Sequence, residues 1–218
     1  MGAVVVPAGA STKLTLYAQM QTVLRDANAE SAVRVTTTAM MSGMRVVQVT
    51  NAGRTAGRQT ITLTDSKKSD TLDVEYVSGA LFLKGDATIL TNYLALSQMN
   101  ANELAGQWFG VPKSSGYYTE LSQGLTISTG FAEVTMTSSV TSGPATTVAG
   151  VNVSVVKGKT VKSASEPSLS ETFYYGSGKK PLPVEVTQSV QGSLGTLLFS
   201  HWNEKVVVVA PKITLHLN

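Results

Sequence analysis

The sequence predicts an α+β protein in which one antiparallel sheet curls around a few helices. Many short segments carry apolar residues at every second position and are separated by Gly, Ser, Asn and Pro, as antiparallel strands joined by tight turns are. Between two groups of such segments lies an apolar stretch, residues 86–109, with helical spacing. Strands, then helices, then strands again favour helices packed against one face of a single sheet.

A helix is predicted before the first strands. Leu16, Met20, Val23 and Leu24 recur at intervals of three, four and seven, which places them along one stripe of a helix. A chain of 218 residues without a long polar break can bury one substantial core. We therefore expect residues 1–10 to form a flexible segment, a tether or a remnant of cloning, and residues 11–218 to form one domain.

Five short strands are predicted between residues 32 and 83, where the period of the apolar residues changes to two. The stretch that follows has a different pattern. Asp86 can cap a helix that carries Ile89, Leu90, Tyr93 and Leu94. These side chains are too apolar for a surface helix, so the helix is expected to pack on the sheet. The residues alone favour an ordinary core over a cavity.

The C-terminal part is predicted to be a meander of antiparallel strands. Phe173-Tyr174-Tyr175, residues 184–190 and residues 196–200 are rich in β-forming residues, and Gly, Ser, Lys and Pro separate them. Trp202 and the apolar run 206–211 end this part of the chain.

Composition excludes several classes of function. Charged residues make up 14% of the chain, the net charge is +3, and there is no cysteine, so neither a disulfide framework nor a cysteine-based metal or redox site can form. The Lys and Arg residues are spread over predicted turns, whereas a nucleic-acid surface collects them on one face among aromatic residues. We therefore expect no nucleic-acid partner, and no apolar run is long enough to cross a bilayer.

Motifs for catalysis and metal binding are incomplete. Gly158-Lys159-Thr160 would end a phosphate-binding loop, but Val153 stands where the loop needs Gly. Residues 191–195 resemble a nucleophile elbow with Gln in place of its first Gly. The two histidines, His201 and His216, have no metal-binding motif. We expect no enzyme activity, catalytic residue, metal or cofactor; a hydrolase using Ser193 or Ser200 with His201 is the catalytic alternative.

Two segments resemble a family of actinobacterial lipoproteins, the LppX/LprG type. Leu81-Phe82-Leu83-Lys84-Gly85-Asp86 precedes a helix, and residues 104–112 read Leu-Ala-Gly-Gln-Trp-Phe-Gly-Val-Pro, which is similar to the family's "strand, Lys-Gly, helix, Gly-Lys-Trp" signature. Residues 147–151, 180–184, 199–202 and 206–211 follow in the family's order and spacing. Gly110 departs from the pattern, because a larger residue is common there.

The resemblance implies a LolA-like half-barrel of about eleven antiparallel strands, with helices on its concave face and a hydrophobic cavity between them. It implies a non-enzymatic carrier that binds lipid or glycolipid acyl chains in that cavity and carries them across the cell envelope. Each buried methylene would contribute roughly 0.8 kcal/mol. The predicted lining residues are Val35, Val49, Ile61, Leu63, Leu83, Leu90, Tyr93, Leu94, Phe131, Val153, Phe173, Val184 and Phe199.

The resemblance also implies where the protein acts. We expect an exported monomer, anchored at the outer face of the cell membrane or in the cell wall through a lipidated N-terminal Cys that would precede residue 3. An envelope protein is a further expected partner. The competing hypothesis is an envelope sensor or interaction protein, in which the same fold has a filled core.

Overall fold

A computed structural model describes residues 8–41, 43–66, 68–131, 134, 136, 137, 139–160, 169–190, 193–213 and 215–217. The chain divides into two compact units: unit 1 is Met1–Ala29 with Val134–Leu198, and unit 2 is Glu30–Glu133 with Phe199–Asn218. The predicted boundary at residue 10 stays a prediction, because residues 1–7 lie outside the described residues. The single domain over 11–218 is likewise a prediction that these units do not test.

Unit 2 contains a sheet of seven strands in the order β13-β6-β5-β4-β3-β2-β1. The strands are β1 (Ala32–Met41), β2 (Met44–Gly53), β3 (Ala56–Thr64), β4 (Ser69–Val77), β5 (Ala80–Gly85), β6 (Phe109–Val111) and β13 (Leu215–His216). The five strands predicted between residues 32 and 83 are confirmed. The sheet is not purely antiparallel, however, because β13 pairs with β6 in parallel.

Three short helices belong to unit 2: α2 (Ala87–Asn92), α3 (Gln98–Leu104) and α4 (Gly116–Ser122). The cap predicted at Asp86 is confirmed, since its carboxylate accepts a hydrogen bond from the Ile89 backbone N–H at 3.0 Å. Ser97 caps α3 through its hydroxyl, which accepts from the Asn100 N–H. Each cap satisfies a backbone donor that the helix itself leaves unpaired.

Unit 1 combines the N-terminal helix with the C-terminal meander. Its elements are α1 (Ala8–Asn28), β7 (Thr141–Ser142), β8 (Thr146–Val148), β9 (Val151–Thr160), β10 (Leu169–Gly176), β11 (Pro183–Val190) and β12 (Ser193–Ser200), the last ending in unit 2. The strand order is β12-β11-β10-β9-β7, and β8 also pairs with β9. The predicted helix and the meander of β10, β11 and β12 are confirmed, and α1 packs on β11 and β7.

The described residues thus contain thirteen strands, more than the predicted eleven. Two of the thirteen, β7 and β13, are only two residues long. The apolar run 206–211 belongs to no strand, and Val207 and Val209 are 58% and 77% exposed.

Candidate lipid-binding face

One face of the unit 2 sheet carries three of the predicted lining residues, and the segment of short helices that covers this face carries two more. Strand register brings Ile61 beside Leu72 and Val74 beside Leu83 on this face. The buried cluster built on it contains Ile61, Leu63, Leu72, Val74, Leu81, Leu83, Ile89, Leu90, Leu94, Ala101, Leu104, Phe109, Val111, Leu121, Leu125 and Leu217. Ile61, Leu63, Leu83, Leu90 and Leu94 therefore belong to one cluster, and their role as the lining of a lipid cavity stays a prediction.

Gly85, at the end of β5, lets α2 lie close to the sheet. A Cβ at this position would stand 2.8 Å from Ile89 Cγ2 and 3.1 Å from Leu72 Cδ1. Both distances are shorter than carbon–carbon contacts in packed interiors. The Lys-Gly-Asp sequence at 84–86 thus ends a strand, admits a helix against it and caps that helix.

Three tyrosines place hydroxyl groups around this apolar cluster. Tyr93, Tyr117 and Tyr118 are partly buried and pack against it. The Tyr117 hydroxyl donates to the Leu94 carbonyl, and the Tyr118 hydroxyl donates to the Gly79 carbonyl at 2.7 Å. Burial raises the pKa of the Tyr93 phenol, and the Glu120 carboxylate raises it further. Tyr93 therefore keeps its proton at neutral pH.

The cluster is closed in this conformation. Leu83 and Leu90 are 0% exposed, and Ile61 is 1% exposed. A side chain with no accessible surface borders no space that would admit even a water molecule. An acyl chain could reach these three residues only if the helices moved away from the sheet.

The same face becomes polar toward β1. Val35 pairs with Thr50, and Thr50 pairs with Gln59 on the next strand. The Gln59 side-chain amide donates to the Thr50 hydroxyl at 2.9 Å, and both residues are buried. Val35 is thus on the predicted face, but next to a polar pair rather than inside the apolar cluster.

Val49 lies on the opposite face of the sheet. It pairs with Thr60, and it lines a groove together with Asn51, Arg58 and Asp73. Because side chains alternate along a strand, Val49 and Ile61 cannot share a face in this register. That Val49 is apolar does not show which alternate residues of β2 face the helices.

Two further predicted residues of unit 2 belong to an aromatic stack. The ring centroid of Phe131 lies 5.4 Å from that of Phe199 and 6.0 Å from that of Trp202, and the last two are 6.4 Å apart. These separations are typical of attractive ring contacts. Trp202 was not predicted as a site residue; its position three residues after Phe199 was the only signal in the sequence.

The predicted residues of unit 1 lie in different places. Val153 and Val184 belong to a small cluster with Val155. Phe173 pairs with Val156, so alternation along β9 puts it on the other face from Val153. It is fully buried and stacks on Tyr175 at 5.6 Å between centroids.

The polar candidates do not form a catalytic or metal site. His201 Nδ1 lies 3.0 Å from the hydroxyl of Ser200, the last residue of β12, and His201 itself is exposed. Within the described ranges, no carboxylate is hydrogen-bonded to His201, so the orienting acid of a triad is not in place. No group of three metal-ligating side chains comes together in the part of the chain that the structure describes.

Structure comparison connects this architecture to mycobacterial lipoproteins. The lipoprotein LppX of Mycobacterium tuberculosis is 15% identical, with a TM-score of 0.57 over 89% of this chain and 98% of its own. LprF of Mycobacterium bovis is 12% identical, with a TM-score of 0.55 over 89% of this chain and 97% of its own. The chain has the fold of LppX. The resemblance to LppX/LprG-type proteins and the α+β half-barrel class are thereby confirmed.

Sequence comparison adds no relative. No protein-family model matches the chain, and no curated protein matches it. The likeness to LppX therefore concerns the fold. The departure from the family pattern at Gly110 has a local cause, because a Cβ there would stand 2.9 Å from His216 Nδ1 and from Ile213 Cδ1. In this chain the returning C-terminal segment occupies the space that a larger residue would fill.

Proposed function

We propose that this protein is a non-enzymatic envelope lipoprotein that binds acyl chains of a lipid or glycolipid between the unit 2 helices and the sheet, and carries them across the cell envelope. The observation that supports this most is the apolar layer between the sheet and α2, α3 and α4, in which Leu90 comes from α2 and Leu94 comes from the turn that follows α2. Contacts between apolar side chains form the centre of this layer. Hydrogen bonds also hold the helices to the sheet: the Tyr117 and Tyr118 hydroxyls donate to backbone carbonyls, the Gly106 N–H donates to the Gly85 carbonyl, and the Lys68 ammonium donates to the Thr88 hydroxyl.

The carrier proposal includes an opening step. Because Leu83 and Leu90 border no space, lipid uptake requires α2 and α3 to separate from β4 and β5. Short helices of six and seven residues are poorly stable alone, so their separation is a local event rather than unfolding of the sheet. An anchor through a lipidated Cys and a location outside the cytoplasmic membrane belong to the same proposal. Among the described residues, no helix is long and apolar enough to cross a membrane.

The closed cluster equally favours a second candidate, an envelope interaction protein with a filled core. In that case the helices stay in place and a protein partner binds elsewhere. Val207 and Val209, exposed in the segment that belongs to no strand, offer it an apolar contact.

Native mass spectrometry with organic extraction separates the two candidates. For a carrier, protein from a host with the native lipids shows a bound species of defined mass, and Leu94→Arg abolishes it because a guanidinium enters the apolar layer. Leu194→Arg is the matched control, since Leu194 is 60% exposed on β12.

Hydrogen exchange on the unaltered protein completes the test if Leu94→Arg fails to fold. Adding phospholipid vesicles should change the protection of residues 87–104 in a carrier. A clean protein mass, no lipid uptake and unchanged protection would overturn the carrier proposal and leave the interaction protein.

A further inference from the structure

The face of the unit 2 sheet that points away from the helices holds a polar groove of about 510 Å³. Arg34, Asn51, Arg58 and Glu75 form one row across β1 to β4, as the strand register shows. Asp73 and Trp108 also line the groove. Its volume falls within the range of small-molecule sites, roughly 300–1,000 Å³.

The charges of the groove are balanced. Two guanidinium groups, of Arg34 and Arg58, face two carboxylates, of Asp73 and Glu75. In the described part of the chain, neither guanidinium has a hydrogen-bond partner in the protein, so their donors are available to a ligand. Balanced charge disfavours a polyanion and a metal cation alike, because each would meet like charges that repel it.

Trp108 adds an aromatic platform at one end. Its neighbour Phe109 pairs with Leu83 and is fully buried, whereas Trp108 is half-buried and lines the groove. A half-exposed indole offers a flat apolar surface beside polar groups. The C–H face of a sugar ring is the apolar surface that fits it.

The groove is elongated. A second hollow of about 170 Å³ shares Arg34, Asn51 and Arg58 with it and continues to His201 and Lys205. A single small molecule would leave part of this length empty. We infer that the groove binds an uncharged oligosaccharide, one ring stacked on Trp108 and the hydroxyl groups of the following rings hydrogen-bonded to Arg58, Asn51, Asp73 and Glu75. Sugar hydroxyls both donate and accept, so they match this mixture of donors and acceptors.

This inference does not rest on the acyl-chain site, which lies on the other face of the sheet. The chain has two tryptophans, and the second is Trp202. Trp202→Phe therefore leaves Trp108 as the only indole. We expect its emission to shift on titration with at least one of maltohexaose, mannohexaose, arabinohexaose and chitohexaose, and calorimetry on the unaltered protein to give the same affinity.

Matched variants assign the binding. Trp108→Ala and Arg58→Gln should each weaken it tenfold or more in calorimetry, while Arg25→Gln, an exposed arginine of α1 paired with Asp26, should leave it unchanged. Binding should change less than about twofold between low and high salt, because an uncharged ligand releases no counterions. Binding that is lost in high salt, or no binding of any of the four sugars, would overturn the inference.

Dodecyl maltoside tests whether the groove also accepts a sugar that is the headgroup of a lipid. If maltohexaose and dodecyl maltoside both bind, and Trp108→Ala abolishes both, the groove accepts free sugars and glycolipid headgroups alike. The contrary result is that dodecyl maltoside binds and maltohexaose does not, with binding abolished by Leu94→Arg but not by Trp108→Ala. That result would assign the ligand to the acyl-chain site and overturn the inference of a sugar-binding groove.

Discussion

The buried faces of the two units are held together by different means. In unit 2 the layer between helices and sheet is apolar and closed, and two glycines, Gly57 and Gly85, allow its backbone segments to approach. In unit 1 the buried face of β10 contains a carboxylate. Glu171 is 2% exposed, and it accepts hydrogen bonds from the Thr160 hydroxyl and the Gln188 amide, both at 2.8 Å.

From this difference we expect the helices of unit 2 to separate from the sheet at a lower free-energy cost than the strands of unit 1 would. Parting two apolar layers exposes hydrocarbon, and a bound acyl chain restores that burial. Parting the strands around Glu171 would remove two hydrogen bonds to a buried charge, and no acyl chain replaces them. For this reason our carrier proposal assigns the acyl chain to unit 2 and not to unit 1.

The largest effect is expected for Gly57→Ala in unit 2. A Cβ at Gly57 would stand 1.8 Å from the Leu125 carbonyl oxygen, and that atom is backbone and cannot rotate away. We expect a loss of more than about 4 kcal/mol in the free energy of unfolding, or no soluble protein. Gly116→Ala, where no atom lies within 4 Å, is the control. Equal urea midpoints for the two variants would show that residue 125 does not lie on β3.

Leu83→Ala and Val153→Ala compare the apolar packing of the two units. Leu83 is 0% exposed in the large cluster, and Val153 is 1% exposed in the small one. We expect Leu83→Ala to lower the free energy of unfolding by about 3–5 kcal/mol, because a closed layer cannot collapse onto the void. Val153→Ala should lower it by about 1–2 kcal/mol. Urea unfolding measures both losses. A smaller loss for Leu83→Ala than for Val153→Ala would mean that the layer around Leu83 is not closely packed.

Much of this architecture could be predicted from sequence, because it depends on local patterns. The cap at Asp86, the alternation in β3 and β4, and the burial of Ile89 and Leu90 on α2 all follow from spacing alone. The predicted extent of that helix was wrong, because α2 ends at Asn92 and Tyr93 and Leu94 lie in the turn that follows. The phase of β2 does not, because Val46, Val47 and Val49 allow either face. Neither the parallel pairing of β13 with β6 nor the place of Trp202 beside Phe131 could be predicted, since both depend on contacts far apart in sequence.

Glu171→Leu and Gln59→Leu compare buried polar groups in the two units. Glu171→Leu removes a charged acceptor used by two side chains, so we expect a loss of about 2–3 kcal/mol. Gln59→Leu removes one neutral hydrogen bond to Thr50 and should lose about 1 kcal/mol. Glu171→Gln, which keeps the shape, should fall between them in urea unfolding. If Glu171→Leu is as stable as the unaltered protein, apolar packing suffices in unit 1 and the contrast between the units fails.

The smallest effect concerns two partly buried carboxylates, Glu185 in unit 1 and Glu75 in unit 2. Burial raises the pKa of Glu185. Burial also raises the pKa of Glu75, but there the Arg58 guanidinium opposes the rise and the Asp73 carboxylate adds to it. A raised pKa means that the folded state holds the proton more tightly than the unfolded chain does. This tighter proton binding adds to the free energy of unfolding. The contribution is complete below the ordinary carboxyl pKa, about 4.3, and is lost as the pH rises through the higher pKa of the folded state.

Glu185→Gln removes that loss, because the amide stays neutral. We expect its melting temperature at pH 7 to exceed that of the unaltered protein by less than about 3 °C, and the difference to vanish at pH 3. Glu75→Gln should raise the melting temperature at pH 7 by less than Glu185→Gln does, because it removes a carboxylate that Arg58 attracts. Calorimetric scans at the two pH values measure both variants. A larger gain for Glu75→Gln would show that Arg58 is not directed at Glu75, and would leave that guanidinium still freer for a ligand in the groove.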